Sequence, residues 1–244
     1  MDKKNHYKKQ KAYFNKEFSS VSKYSLESWQ KNYIEKINKY LLDKDYKKKT
    51  LLDIGTGTGY VAIESAKKGV KVIGCDLSVK AIENLKKYKK DFSLNNLTFL
   101  KCNAEELPLK NESVNYIVAN AILEHLPKEE EAINEWKRVL KKNGKIFITV
   151  PLSLKSIWPF LWPINIFYDK RLGHIRRYDK RSLEKKFGLK SVHVFYTGHL
   201  LKVFGTILSL ILRIHLFDEY LDLQDLKKQH ISYGASNISL ILRK

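Results

Sequence analysis

Between Thr50 and Pro151 the sequence alternates short apolar runs with segments of helical periodicity. The apolar runs predict five strands, over residues 50–55, 70–76, 97–102, 114–119 and 145–150. Helices are predicted between them, over residues 60–68, 78–91 and 128–142, the last one stopped by Asn143-Gly144. Because strands that alternate with helices pair in parallel, we expect a sheet that is covered on both faces.

The segments outside this alternation are predicted to surround the sheet. Residues 1–49 are basic and helical, and Trp29, Tyr33 and Ile37 share one helix face that is expected to pack on the core. Residues 1–49 are thus predicted to form an extension or lid, and residues 50–244 are predicted to form one domain. After Pro151 the sequence predicts a short helix over 179–187 and a strand over 191–197. A long apolar helix over 199–217 and a last strand over 237–243 follow. The expected fold is therefore α/β: a doubly wound, mostly parallel seven-stranded sheet with helices on both faces and apolar insertions.

A glycine-rich turn, Gly55-Thr56-Gly57-Thr58-Gly59, follows the first strand. Such a turn lets the backbone approach a ligand closely and directs the free N–H groups of the next helix at it. Tyr60 stands where a dinucleotide-binding turn has its last glycine, which argues against a pyrophosphate. The turn also lacks the Lys-Ser/Thr pair of a P-loop, so that class of nucleotide site is excluded.

Asp76 ends the second predicted strand, 21 positions after Gly55. A carboxylate at the carboxyl edge of the neighbouring strand can accept hydrogen bonds from both hydroxyls of a ribose. The alternative is that Asp76 serves only the start of the helix that Ser78 caps. The glycine turn favours the ribose interpretation.

These residues resemble the motifs of class I S-adenosylmethionine (SAM)-dependent methyltransferases. Residues 51–59 resemble the first motif, and residues 74–78 the second. Residues 102–108 resemble the third element, with Asn103 where the family usually has Asp. Residues 114–127 resemble the fourth element, and residues 135–144 resemble the helix before the fifth strand. The resemblance covers about Leu51 to Pro151 and extends to quinone- and glycan-modifying members. It implies a Rossmann-like fold, with SAM as the cofactor and an acceptor that receives its methyl group.

The resemblance assigns the cofactor half to residues 50–151 and the acceptor side to insertions 152–178 and 198–230. The amino acid end of SAM is assigned to the first motif, its ribose to the second, its adenine to Leu77 and the third element, and its methionine part to the end of the fourth strand. The cofactor residues implied in this way are Asp53, Gly55, Thr56, Gly57, Gly59, Asp76, Leu77, Asn103, Ala104 and Asn120.

His125 is the candidate general base, since histidine can titrate near working pH and this one follows the fourth strand near the expected methyl group. Alternatively, Glu124 and His125 only shape the wall of the site. Arg176 and Arg177 are candidates for holding a carboxylate or phosphate of the acceptor, or else belong to a solvated face or a structural ion pair.

Composition limits the remaining classes of site. The seven histidines lack the short paired spacing of metal sites, so no metal is expected. Cys75 and Cys102 lie in strand-like runs and are expected to be reduced thiols of a cytoplasmic protein. The run 203–212 is shorter than the roughly 17–20 residues that cross a bilayer, so no transmembrane helix is expected.

The net charge of +20 would attract nucleic acid or an anionic membrane surface, although a lysine-rich composition alone also produces it. The insertions contain Trp, Phe and Leu beside Lys and Arg, which favours a small-molecule or lipid-linked acceptor at the inner membrane surface. Alternatively, these apolar residues pack in the core or form a dimer interface. The leading hypothesis is a methyltransferase acting on oxygen. An RNA methyltransferase and a non-catalytic SAM-binding subunit are the alternatives; nucleic acid is less favoured because no RNA-binding module is attached.

Overall fold

A computed structural model describes residues 3–19, 23–212 and 218–244. The seven strands are β1 Thr50–Ile54, β2 Lys71–Asp76, β3 Leu97–Lys101, β4 Val114–Asn120, β5 Leu140–Pro151, β6 Ser191–Thr197 and β7 Asn237–Arg243. The α-helices in the described part of the chain are α1 Lys3–Ser19, α2 Ser28–Lys36, α3 Tyr60–Lys67, α4 Val79–Asp91, α5 Glu129–Val139, α6 Trp162–Leu172, α7 Lys180–Phe187, α8 Leu200–Leu212 and α9 Asp218–Lys227.

The strands form one sheet in the order β3-β2-β1-β4-β5-β7-β6. Strands β1 to β5 are parallel, and β7 runs antiparallel to both β5 and β6. Alternate residues of β1 face opposite sides: Leu51 packs with the core under α3 and α4, and Leu52 with the core under α5 and α7. The prediction of a doubly wound, mostly parallel seven-stranded sheet is confirmed.

The N-terminal segment supplies part of one core. Tyr33 and Ile37 are buried on the same face as α3, and Tyr33 contacts the ring of Phe147 on β5. Helix α2 therefore packs on the sheet, as the periodicity predicts. Helix α1 lies elsewhere, along the carboxyl edge of the sheet.

The predicted helix over residues 128–142 is too long. Helix α5 ends at Val139, and β5 begins at Leu140. The chain terminus explains the difference, because Asn143 donates its backbone N–H to the carbonyl of Lys244 at 3.1 Å, and Lys244 donates to Gly144 at 3.0 Å. The predicted helix over 199–217 is described as far as Leu212, and its last five residues lie outside the described residues.

Cys75 and Cys102 form a disulfide between the end of β2 and the residue after β3, with their Cα atoms 5.9 Å apart. The expectation of two reduced thiols is therefore wrong for this structure. Parallel pairing of β2 with β3 brings the two chain segments side by side, which the separation of 27 residues in the sequence conceals. Among the helices of the described segments, none combines the length and the apolar character that crossing a membrane requires.

Asp53 lies in the core at the point where β1 enters the glycine turn. Its carboxylate is only 2% exposed and accepts a 2.7 Å hydrogen bond from the hydroxyl of Thr56. Burial, together with the nearby Asp76, raises the pKa of Asp53 to about 7. The native protein therefore holds a proton on Asp53 at pH values where the unfolded chain has released it.

We predict that Asp53→Asn removes a pH-dependent loss of stability. Because the pKa of Asp53 is raised on folding, the wild-type free energy of unfolding falls as pH rises from about 4 to about 7, and an amide has no such dependence. The difference between variant and wild type, measured by urea unfolding, should therefore grow in favour of the variant over this range. Asp91→Asn, which neutralises an exposed carboxylate at the end of α4, is the control. A constant difference between pH 4 and pH 8 would contradict the prediction.

Candidate functional site

A cavity of about 80 Å³ opens at the carboxyl edge of the sheet, where β1, β2 and β4 end. In an open α/β sheet this edge is where ligands bind. The floor and walls consist of residues that follow these strands and β3, and α1 forms the roof. The lining residues are Tyr7, Gln10, Lys11, Phe14, Gly55, Cys75, Asp76, Leu77, Ser78, Cys102, Asn103, Ala104, Ile122, His125 and Leu126.

The glycine turn has no room for side chains at Gly55 and Gly57. Gly55 has φ +66°, and a Cβ at this position would lie 3.0 Å from Cδ1 of Ile122. Gly57 has φ +52°, and its Cβ would lie 3.2 Å from Cζ of Phe18. Larger residues would therefore be strained in backbone and would fill the space beside the turn. The turn offers backbone instead of side chains to a ligand.

Asp76 reaches the cavity from the end of β2. Its Oδ2 accepts the N–H of Gly57 at 2.9 Å, and its Oδ1 accepts the N–H of Ser78 at 2.8 Å. Burial raises the pKa of this carboxyl, while these backbone hydrogen bonds oppose that shift. Each oxygen keeps a further lone pair, so the carboxylate can also accept the hydroxyls of a ribose.

Helix α1 lies across the opening of the cavity. His6 Nε2 donates to the carbonyl of His125 at 2.9 Å, and Gln10 donates to the carbonyl of Leu172 at 3.0 Å. Near its other end, Asn15 Oδ1 accepts the hydroxyl of Ser78 at 2.5 Å. Ligand cavities usually hold at least about 300 Å³, so a nucleoside-sized cofactor requires side chains of α1 to move.

The implied cofactor residues divide into two groups. Five line the cavity: Gly55, Asp76, Leu77, Asn103 and Ala104. The other five lie beneath or beside it: Asp53, Thr56, Gly57, Gly59 and Asn120.

Several of these side chains already have partners within the protein. Asn120 donates to the hydroxyl of Tyr60, and Asn103 Oδ1 accepts the N–H of Glu105 at 3.1 Å. The hydroxyl of Thr56 is bound to Asp53. These groups shape the turn and the strand ends that carry the lining residues.

Residues of α1 and of the loop after β4 also line the cavity and were not predicted from the sequence. Phe14 packs edge-on against His125, and Ile122 forms the wall opposite Gly55. The spacing of four between Phe14 and Phe18 indicates an aromatic helix face, and their rings are stacked. That signal identifies the face but not the cavity that it covers.

Glu124 and His125 are buried where the loop after β4 turns toward the insertions. Burial, together with the neighbouring His174 and His6, lowers the pKa of His125 to about 3. The expectation that His125 titrates near neutral pH is therefore wrong, and a neutral imidazole with this pKa is a weak base. Burial raises the pKa of Glu124 to about 8.

A second, larger cavity of about 330 Å³ lies beside the first, between α6 and α8. Its walls are mainly apolar and come largely from both insertions. The lining residues are Pro151, Ile164, Asn165, Tyr168, Asp169, Leu172, His174, Arg177, Gly198, Lys202, Val203, Ser236 and Asn237. The structure thus brings the two insertions together around one space.

Arg176 and Arg177 have protein partners. Arg176 donates to the carbonyls of Leu126 and Pro127 at 2.6 and 3.2 Å. Arg177 binds the carboxylate of Asp169 through two nitrogens, at 2.6 and 3.0 Å. The prediction that these arginines hold an anion of the acceptor is therefore not supported, because their donors fix the loop after β4 and the end of α6.

Part of the chain is similar to known proteins. Residues 45–159 match the model of a methyltransferase domain. The ubiquinone/menaquinone biosynthesis C-methyltransferase of Rickettsia typhi is 31% identical over 123 residues, which are 48% of this chain and 49% of that protein. The demethylmenaquinone methyltransferase of Oceanobacillus iheyensis is 32% identical over 122 residues, 49% of each. The chain thus spans about half the length of the curated relatives it matches.

The fold also matches solved structures over nearly the whole chain. The geranyl diphosphate C-methyltransferase of Streptomyces coelicolor, solved with S-adenosyl-L-homocysteine, has a TM-score of 0.69 at 13% identity and covers 98% of this chain and 97% of its own. This likeness shows a common fold. The segment that matches the methyltransferase-domain model, residues 45–159, contains the glycine turn, Asp76 and strands β1 to β5.

Proposed function

We propose that the protein transfers the methyl group of SAM to an apolar small-molecule or lipid-linked acceptor, with oxygen as the accepting atom. The observation that carries this proposal is the adjacency of the two cavities. His125 lines the smaller cavity, His174 lines the larger one, and the two imidazole centroids are 4.8 Å apart. A donor and an acceptor in these cavities would meet at this pair of rings.

SAM supplies a methyl group on a sulfonium leaving group, so transfer depends chiefly on alignment. The glycine turn and Asp76 bind the nucleoside end from one side. Phe14, on α1, covers the opening and keeps water out once the cofactor is bound. The low pKa of His125 argues against using it to remove a proton from the acceptor.

The larger cavity suits an apolar acceptor. Its volume of about 330 Å³ falls within the range of small-molecule sites, and Ile164, Tyr168 and Val203 form much of its wall. Its charged groups are already paired, since Arg177 binds Asp169 and Lys202 binds Asp222 at 2.8 Å. A mainly hydrophobic molecule is therefore the favoured occupant.

The surface around this cavity favours approach from a membrane. Helix α6 exposes Phe167 by 62%, next to exposed Lys170 and Arg171. Helix α8 exposes Phe204 and Leu208 at a spacing of four, so that they share one helix face. Large apolar side chains beside basic ones are typical of segments that lie in the interface of an anionic bilayer. We propose that the protein works at an anionic membrane surface.

We predict that Asp76→Asn weakens binding of S-adenosyl-L-homocysteine by about 10- to 100-fold, because a charge-assisted hydrogen bond to the ribose is lost. Isothermal titration calorimetry measures the dissociation constant. Asp91→Asn makes the same chemical change on the exposed end of α4 and should bind as the wild type does. Equal affinities for Asp76→Asn and wild type would refute the assignment of Asp76.

Methyl transfer is tested by incubating the protein with radiolabelled SAM and separate lipid, RNA and soluble-metabolite extracts. We expect label in the lipid fraction, less label with Asp76→Asn, and a methyl group on oxygen when the product is fragmented in a mass spectrometer. Label confined to RNA would establish the competing nucleic-acid activity. Cofactor binding without label in any fraction would indicate a non-catalytic subunit.

We predict that the protein cosediments with anionic vesicles and that Phe167→Ser combined with Leu208→Ser reduces the bound fraction several-fold. The two substitutions remove exposed apolar surface but leave the basic residues in place. Phe92→Ser, at an exposed phenylalanine next to the end of α4, is the matched control. Salt should weaken the binding by screening. Absence of wild-type binding to anionic vesicles at low salt would exclude the membrane surface.

A further inference from the structure

Glu124, His125 and His174 form a buried cluster between the two cavities. Each offers one ligand atom, and these atoms all lie within 4.8 Å of one another. Glu124 is fully buried, and neither of its carboxylate oxygens has a hydrogen-bond partner. Nδ1 of His125 is likewise buried without a partner. Three unsatisfied polar groups that converge in one place are costly unless something binds them.

We propose that this cluster binds a divalent first-row transition metal through two imidazoles and one carboxylate. Metal–nitrogen and metal–oxygen bonds of about 2.0–2.2 Å place two ligand atoms of one tetrahedral ion roughly 3.3–3.6 Å apart. Nε2 of His174 and Oε1 of Glu124 are already 4.0 Å apart. To surround an ion, the separations within the cluster, which are at most 4.8 Å, have to shorten by up to about 1.5 Å.

The surroundings orient His174 as a ligand. Its Nδ1 is paired with Oδ1 of Asp169 at 2.8 Å, which leaves Nε2 toward Glu124. Asp169 is in turn held by Arg177 at 2.6 Å. A carboxylate on the far nitrogen of a histidine is the common partner of metal-binding imidazoles, because it fixes the tautomer and the ring orientation.

The other two ligands are held by the backbone. The N–H of Ile175 donates to the carbonyl of Glu124 at 2.8 Å, which fixes the His174 segment against the loop after β4. The ring of His125 has a backbone hydrogen bond at Gly173, while its Nδ1 stays unpaired. These contacts position the ligand set without occupying the ligand atoms.

The composition of the cluster selects the class of metal. Two imidazoles and a carboxylate suit Zn²⁺, Fe²⁺, Mn²⁺ or Co²⁺, whereas Mg²⁺ and Ca²⁺ prefer oxygen ligands alone. Three protein ligands also leave open coordination positions. An ion here would stand beside the larger cavity, where it would supply a Lewis acid to an oxygen of the acceptor.

The ligand set was hidden in the sequence because it joins residues about fifty positions apart. Spacing within short segments, which led to the expectation of no metal, cannot detect such a pair. The structure brings His174 to His125 through the crossing of the first insertion over the loop after β4.

The test is titration of the metal-free, untagged protein with Co²⁺, followed by visible absorption. We expect one Co²⁺ per chain with ligand-field bands, displaced by Zn²⁺. Glu124→Gln and His174→Ala should lose most of the binding, and Asp169→Asn should weaken it by about 10- to 100-fold. His230→Ala, which removes an exposed histidine outside the cluster, should bind as the wild type does.

Circular dichroism shows whether each variant is folded. If the cluster variants do not fold, X-ray absorption of the wild-type Co²⁺ complex decides, since two imidazoles are expected around the metal. Wild-type protein that is folded and binds no Co²⁺ overturns the proposal, as does unchanged binding in folded Glu124→Gln and His174→Ala. The measurement uses neither SAM nor an acceptor, so its outcome is independent of methyl transfer.

Discussion

The reversal of strand order at β1 is the constraint on which the site depends. The chain builds β1, β2 and β3 outward in one direction and then returns to place β4 on the other side of β1. Connections that leave β1 and β4 on opposite faces open a crevice between their carboxyl ends. The glycine turn follows β1 and the Glu124–His125 loop follows β4, so both candidate ligand-binding elements meet there.

Sequence periodicity was enough to predict the elements that bury apolar residues on the sheet. Strands β6 and β7 have the predicted bounds, and Ser78 caps α4 by accepting the N–H of Ala81. The predicted end of α5 was wrong because the actual end depends on hydrogen bonds to Lys244, about a hundred residues later in the chain. Local propensity predicts an element well where its own side chains decide the structure, and poorly where a distant strand does.

The same distinction between local and distant determinants applies to the residues of the candidate site. Asp76 could be placed because its position follows from the register of β2 beside β1. The partners of the two arginines could not be predicted, since a guanidinium that holds a ligand and one that binds Asp169 look alike in sequence. The pKa of His125 was likewise misjudged, because it is set by burial beneath α1 and next to His174, both remote in the chain.

Helix α1 connects these observations. It covers the glycine turn with Phe18, packs Phe14 against His125 and binds the loop carbonyl of the same residue through His6. Any movement that admits the cofactor must therefore loosen contacts to the loop that carries Glu124 and His125. Because the same loop is tied to the first insertion through Ile175, cofactor entry and the shape of the larger cavity are mechanically linked. Helix α1, which covers the smaller cavity, is thus connected through this loop to the walls of the larger one.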